Sequence, residues 1–297
     1  MIIMAEHAGF CFGVKRAVDA IEKALQENSE VWTIGLPIHN PQEVSRLEAM
    51  GLRVANDDSE IPAGAKVLIR AHGEPLEVFE RLKSKGIEIE DMTCPFVGKA
   101  QRMAAEMSNR NYYVIVLGDK NHPEVKGIVG HISEPKNSEV IANEQEAENV
   151  KRHSKIGVIS QTTQREEKLS KIAGILTGKA SELHICNTIC KATSERQDSV
   201  RKLVNENNID GIVLIGGKQS ANTAKLRDII ISEGKEILWV EDEKEIESNS
   251  DWFNNKSRIG IAAGASTPEW LIINIKNIIA QKSKSRGYPS NGSTGSY

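Results

Sequence analysis

A threefold repetition constrains this chain more than any other feature. Three cysteines, at positions 11, 94 and 190, each stand directly before a helical pattern. Gly9-Phe10-Cys11-Phe12-Gly13-Val14-Lys15 is followed by apolar residues at Ala17, Val18, Ile21 and Leu25, the spacing of one helix face. Thr93-Cys94-Pro95-Phe96-Val97 precedes Met103, Ala104 and Met107, and Thr188-Ile189-Cys190-Lys191-Ala192 precedes Val200, Leu203 and Val204. The segment behind each helix repeats as well. Residues 30–34, 112–117 and 210–215 read as strands, and each runs into a glycine-led loop at Gly35, Gly118 or Gly216. Gly35 and Gly118 both lie 24 residues beyond their cysteine (35 − 11; 118 − 94). Later strands at 65–69, 155–159 and 258–262 end in Arg70-Ala71-His72-Gly73, Ser160-Gln161-Thr162-Thr163 and Ala263-Gly264-Ala265-Ser266-Thr267.

Strands alternating with helices at this spacing predict an α/β fold with mostly parallel sheets. The repetition divides the chain into three similar small lobes, residues 1–93, 94–186 and 187–281, each delivering one cysteine to a shared centre. Ligands of parallel sheets lie beyond the carboxyl ends of the strands. Six strand-end loops, two per lobe, are therefore expected to face that centre. They carry His39, His72, His122, Glu124, Thr162, Ser220, Asn222 and Ser266. Thr267 with Pro268 behind it reads as the N-cap and first position of the last helix. Residues 282–297 are rich in Ser, Gly and Lys and are expected to be a disordered tail with no role.

Composition excludes several classes. In 297 residues, 39% hydrophobic, no apolar run approaches the roughly 20 residues of a membrane span. Residues 1–6 read as a short strand and lack the basic and long apolar regions of a signal peptide. Net charge is −3 without a strong basic block, which disfavours nucleic acid as a partner. Four scattered cysteines do not make a disulfide framework, so a cytoplasmic setting is expected.

Three thiols can hold zinc or an iron–sulfur cluster. Structural zinc sites draw on close pairs such as C-x-x-C, and the sequence has none. Cys186 stands four before Cys190 but inside an apolar, strand-like run, and it reads as an ordinary thiol. Single cysteines from three lobes suit a cubane cluster better. Three thiolates on four irons leave one iron open to a substrate oxygen and able to pass electrons. Histidines and hydroxyls at strand ends, beside helix N-termini, suit a phosphate group. One such histidine alone is more often a satisfied turn residue; three in matching places favour the ligand. Glu124 could simply complement a helix dipole. Its sharper role is proton delivery in a closed site, aided by the Thr162 hydroxyl.

These residues together resemble one family. Ala8-Gly9-Phe10-Cys11-Phe12-Gly13-Val14, Arg70-Ala71-His72-Gly73, Thr93-Cys94-Pro95, His122-Pro123-Glu124, Ser160-Gln161-Thr162-Thr163, Asn187-Thr188-Ile189-Cys190 and Gly264-Ala265-Ser266 look like the 4-hydroxy-3-methylbut-2-enyl diphosphate reductases of the non-mevalonate isoprenoid route. The resemblance runs from about residue 1 to 280. It implies a trefoil of three lobes around a [4Fe-4S] cluster held by Cys11, Cys94 and Cys190. It implies reductive loss of the allylic hydroxyl to give isopentenyl and dimethylallyl diphosphates. His39, His72, His122, Ser220, Ala221, Asn222 and Ser266 would hold the diphosphate, Glu124 would supply protons, and Thr162 would place the hydroxyl. Electrons would come from a ferredoxin or flavodoxin. Where the family often carries Ser-Ser-Asn, this chain has Ser220-Ala221-Asn222, one hydroxyl donor fewer, with the Ala221 N–H retained. An iron–sulfur hydro-lyase acting on a phosphorylated or carboxylated hydroxy substrate is the alternative enzyme, and a redox-sensing or electron-carrying cluster protein the non-enzymatic one.

Overall fold

The computed structural model describes residues 1–27, 30–206 and 208–284. The chain opens with β1 (Ile2–Met4) and α1 (Phe12–Glu27). Behind them lie β2 (Val31–Ile34), α2 (Pro41–Ala49), β3 (Leu52–Ala55), β4 (Lys66–Ile69), α3 (Leu76–Ser84) and β5 (Glu88–Asp91). Next come α4 (Pro95–Asn109), β6 (Tyr113–Leu117), α5 (Pro123–Val129), β7 (Ser138–Ile141), α6 (Glu144–Asn149), β8 (His153–Ser160), α7 (Glu166–Thr177) and β9 (Ala180–Cys186). The last stretch holds α8 (Lys191–Glu206), β10 (Gly211–Ile215), α9 (Ala221–Ser232), β11 (Ile237–Val240), α10 (Glu243–Ser248), β12 (Ile259–Ala263) and α11 (Glu269–Lys284).

Twelve described strands make three four-stranded sheets, ordered β3-β2-β4-β5, β7-β6-β8-β9 and β11-β10-β12-β1, and every pairing is parallel. All three share one plan. The first strand of the lobe pairs with the second on one side and the third on the other, and the fourth lies outside the third. Each central strand is apolar on both faces, as a sheet covered on both sides requires. Val114 and Val116 of β6 enter one core while Ile115 and Leu117 enter the opposite one. β10 divides in the same way, with Val213 and Ile215 on one face and Ile212 and Leu214 on the other. In β4, Val67 and Ile69 oppose Leu68. The alternation comes from the period of two along a strand.

The expectation that residues 1–93 form one lobe is corrected at its start. β1 joins the third sheet through Ile2↔Ile259, Ile3↔Gly260 and Met4↔Ile261. Among the described residues after Cys190 there are three strands, which would leave the outer edge of β12 with unpaired backbone groups. The N-terminal strand fills the fourth place and covers that edge. Contacts divide the chain into two compact units. One comprises Met1–Phe10, Asn40–Gln42 and the chain from Arg196 onward, with the third sheet; the other comprises Cys11–His39 and Glu43–Glu195, with the first two sheets.

Two smaller expectations change. The Thr267 hydroxyl does not cap the last helix; it donates to the Ile215 carbonyl at 3.0 Å, tying the end of β12 to β10. The Ile272 N–H bonds the Pro268 carbonyl at 3.3 Å, so the cap falls one residue later. Of the expected tail, residues 282–284 complete α11, and the rest lies outside the described residues. Among the described residues no helix is long and apolar enough to cross a membrane.

Candidate active site

The common sheet plan explains where the singled-out residues fall. Successive crossovers reverse direction between the first and third strands, and ligands favour that point. The loops after these strands carry the candidates: His39 after β2, His72 after β4, His122 and Glu124 after β6, Thr162 after β8, Ser220 and Asn222 after β10, Ser266 after β12. Each fourth strand, β1, β5 or β9, leads instead into a cysteine.

Each cysteine caps a helix. The Cys11 carbonyl accepts from Lys15 N–H (2.9 Å) at the start of α1, that of Cys94 from Gly98 N–H (2.8 Å) at the start of α4, and that of Cys190 from Ser194 N–H (3.3 Å) at the start of α8. Three helix N-termini thus turn partial positive charge toward three sulfurs, which favours thiolates. The sulfurs are close enough for a charge on Cys11 to act on both Cys94 and Cys190. Burial pushes the Cys94 and Cys190 thiols up, partly offset for Cys94 by the Phe96 and Val97 N–H groups and for Cys190 by Thr193, whose Oγ1 lies 2.9 Å from Sγ. Gly13 is a requirement of this packing: a Cβ there would sit 2.5 Å from Cys94 Sγ. Arg16 binds α1 to the same place by donating to the Thr93 carbonyl at 3.1 Å. None of the cysteines is in a disulfide. Three reduced thiols at three helix N-termini fit an iron–sulfur cluster, whose binding requires deprotonated sulfur.

His39, His72 and His122 come together from three loops, with ring centroids 4.9–5.5 Å apart and ligand atoms within 4.8 Å of one another. Such a trio could hold a metal ion or an anion. His122 Nδ1 accepts the Glu124 N–H at 3.2 Å. A nitrogen that accepts carries no proton, so neutral His122 keeps its proton on Nε2 and offers a donor. A metal at Nε2 would need the opposite tautomer. Buried Nδ1 and Nε2 of His39 and Nδ1 of His72 have no hydrogen-bond partner among the described residues. Burial lowers all three histidines, His122 to about 4 and His72 well below the ordinary value, and Arg70 pushes each further down. Arg70 is partly buried, its side chain 11% exposed, bonded to Glu74 at 3.1 Å and donating to the Leu36 carbonyl at 3.2 Å. Unpartnered imidazole nitrogens beside a largely buried guanidinium suit an anion.

Glu124 links the two trios. It is 2% exposed, and burial raises its carboxyl to about 7. Oε1 accepts the Thr162 N–H at 2.6 Å and Oε2 the Thr162 hydroxyl at 3.0 Å. The Thr162 carbonyl in turn accepts Cys190 N–H at 3.0 Å. On the other flank Cys94 N–H bonds the carbonyl of Ala71, next to His72. A chain of bonds therefore runs from His122 through Glu124 and Thr162 to Cys190. Near 7, the carboxyl can hold and release a proton at neutral pH.

In the other unit, Ser220 caps α9 and accepts Thr223 N–H at 3.3 Å. Ala221 is the first residue of that helix. Nδ2 and Oδ1 of Asn222 are buried without a partner among the described residues. Ser266 lies in the loop after β12. The two loops are held together closely: a Cβ at Gly264 would meet Thr223 Oγ1 at 2.1 Å, and one at Gly216, where φ is +146°, would meet Thr267 Oγ1 at 2.8 Å. Cys186 ends β9 with its sulfur 3.6 Å from that of Met103, apart from the helix-capping trio. Sequence reasoning gave Arg70 and Gly13 no role. The i, i+4 spacing of Arg70 and Glu74 was a signal for the first; the second depends on an approach between helices that no local pattern records.

Fold and site define an α/β protein of three parallel-sheet lobes that assembles a thiol trio and a histidine trio. The LytB protein family model matches residues 2–280, and the chain belongs to that family. A 4-hydroxy-3-methylbut-2-enyl diphosphate reductase of Aquifex aeolicus is 40% identical over 94% of this chain and 96% of its own length. One of Campylobacter fetus is 44% identical over 93% and 96%. A solved structure of (E)-4-hydroxy-3-methyl-but-2-enyl diphosphate reductase, the terminal enzyme of the non-mevalonate pathway, shares 40% identity with a TM-score of 0.71, covering 94% of this chain and 99% of its own. The Plasmodium falciparum E-1-hydroxy-2-methyl-but-2-enyl-4-diphosphate reductase, at 24% identity and a TM-score of 0.87, has the same fold and covers 94% of this chain and 87% of its own.

Proposed function

We propose that this chain reductively removes the hydroxyl of 4-hydroxy-3-methylbut-2-enyl diphosphate, giving isopentenyl and dimethylallyl diphosphates. Cys11, Cys94 and Cys190 would hold a [4Fe-4S] cluster, which when bound supplies electrons and a Lewis-acidic iron. His39, His72 and His122 donate to the diphosphate, against the positive charge of Arg70. Ser220, Asn222, Ser266 and the Ala221 N–H at the start of α9 are assigned to the same group. Thr162 orients the leaving hydroxyl, and Glu124 in its acid form delivers the proton through it. A ferredoxin or flavodoxin brings the electrons, in the cytoplasm, where thiols stay reduced.

The bonded chain from His122 through Glu124 and Thr162 to Cys190 carries this reading. It joins an anion site, a proton donor poised near 7 and a thiol cluster site within one unit. An electron carrier needs neither of the first two. Anaerobic incubation with the allylic diphosphate, with and without reduced methyl viologen, tests it. Hydroxyl loss only with viologen is expected; loss without any reductant would make the chain a hydro-lyase.

A further inference from the structure

α8 buries a polar stripe. Thr193, Arg196 and Ser199 stand three residues apart on one side of the helix, and they are 3%, 6% and 6% exposed. Further along, α8 sends Val200, Leu203 and Val204 into the core. A guanidinium in such a place loses its water and stays there only if hydrogen bonds replace it.

Each member of the stripe has a definite partner. Thr193 Oγ1 lies 2.9 Å from Cys190 Sγ. Arg196 donates to the Gly9 carbonyl at 2.7 Å. Ser199 Oγ accepts the His7 N–H at 3.2 Å. His7 and Gly9 belong to the connection from β1 to α1, residues 5–11, which has no helix or strand of its own and ends at Cys11. The helix that begins behind Cys190 therefore grips, at two points, the connection that delivers Cys11. Gly9 holds φ +97°, a backbone conformation that favours glycine, and Arg196 fixes the carbonyl of this same residue. The other two cysteines are anchored in comparable ways. Arg16, on the helix behind Cys11, donates to the carbonyl of Thr93, directly before Cys94, at 3.1 Å. Thr188, two before Cys190, accepts the Ser160 N–H at 2.9 Å and donates to the Ser160 carbonyl at 2.5 Å.

We infer that Arg196 is a positioning residue for Cys11, setting its sulfur where a cluster shared with Cys94 and Cys190 needs it. The inference rests on the cluster reading. A cluster holds its ligand sulfurs at set separations, and ordering a loose connection on binding would cost affinity. The guanidinium stays charged at any working pH, so the grip does not depend on titration.

The test uses the full chain, loaded anaerobically with iron and sulfide, as wild type, Arg196→Met and Arg196→Lys. Val204→Ala is the control for loosened packing on the same helix. Release of iron to bathophenanthroline is followed first. The released protein, its fold checked by circular dichroism, is then alkylated with iodoacetamide, and each cysteine is read by peptide mass spectrometry. Arg196→Met should release iron at least about tenfold faster, the scale of a lost outer-shell contact. It should also label Cys11 about fivefold faster or more, with Cys186 within about twofold of wild type, because only the Cys11 connection is freed. Arg196→Lys keeps a charged donor and should fall between the two. Val204→Ala should change Cys11 and Cys186 alike. Should Arg196→Met not fold, Ser199→Ala removes only the His7 contact and should still label Cys11 selectively, about threefold faster. Unchanged iron release and Cys11 labelling would overturn the inference. So would equal acceleration at all four cysteines, or selective labelling of Cys11 in Val204→Ala. Faster iron release with unchanged Cys11 labelling would overturn it too, leaving Arg196 a role in the charge around the cluster alone. Wild type that takes up no iron would end the cluster reading, while the labelling still decides whether Arg196 holds Cys11.

Discussion

Glu124→Gln separates a proton donor from a merely structural carboxyl. The geometry tolerates the change: one amide oxygen can still accept the Thr162 N–H, and the Thr162 hydroxyl can reverse and accept from the new NH2. Only the ionisation is removed. Burial lifts the wild-type carboxyl from 4.5 to about 7. A raised folded-state value contributes stability that is complete below the unfolded value and lost as pH rises through the folded one. At about 1.4 kcal/mol per pH unit, the ionised carboxylate at pH 8 costs on the order of 3 kcal/mol. In urea unfolding of chelator-stripped protein, wild type should weaken by roughly that amount from pH 4.5 to pH 8 through this group, and Glu124→Gln should lack this component. Turnover with reduced viologen should fall by about 10²-fold or more, the scale of one general acid. Wild-type kcat should also decline above pH 7 as the acid form is lost, a limb absent from the variant. Wild-type turnover with an unchanged pH profile in Glu124→Gln, or an unchanged pH slope of stability, would refute the reasoning.

The remaining outcomes concern the two trios. Ser at Cys11, Cys94 or Cys190 should strip most iron and sulfide from anaerobically prepared protein, while Cys186→Ser keeps both; stoichiometric zinc without sulfide would exclude the cluster. Gly13→Ala places a methyl 2.5 Å from Cys94 Sγ, so the cysteine must move, and iron content should fall by at least about half; full iron loading would show that the approach is not required. His39→Ala removes a donor to the diphosphate, worth about 1.5–3 kcal/mol, and should raise the substrate Kd at least tenfold. An unchanged Kd would put His39 outside the site.

The repetition made much of this legible. Cysteine, helix, apolar strand and glycine loop recur in order, so parallel lobes and strand-end candidates could be read without knowing any contact. β1 could not be assigned to its sheet in the same way. Ile2 pairs with Ile259, and parallel pairing over such a separation leaves no local trace. β3 and β7 escaped because Leu52–Ala55 and Ser138–Ile141 are short and mix charged or polar residues with apolar ones. Thr267 looked like a cap, but a hydroxyl bonds whichever acceptor tertiary packing supplies, and here that is Ile215. The histidine trio was expected from matching loops. The tautomer of His122 needed the Glu124 N–H, and the depth of burial that brings Glu124 near 7 needed the whole lobe.

The central claim is that this chain replaces an allylic C–O bond by C–H. It is tested most directly by anaerobic turnover of 4-hydroxy-3-methylbut-2-enyl diphosphate in D2O with a titrated one-electron donor and mass spectrometry of the products. Two electrons should be consumed per substrate, with one solvent-derived deuterium on carbon in both isopentenyl and dimethylallyl diphosphate. A dehydrated product formed without consumption of the donor would contradict the claim.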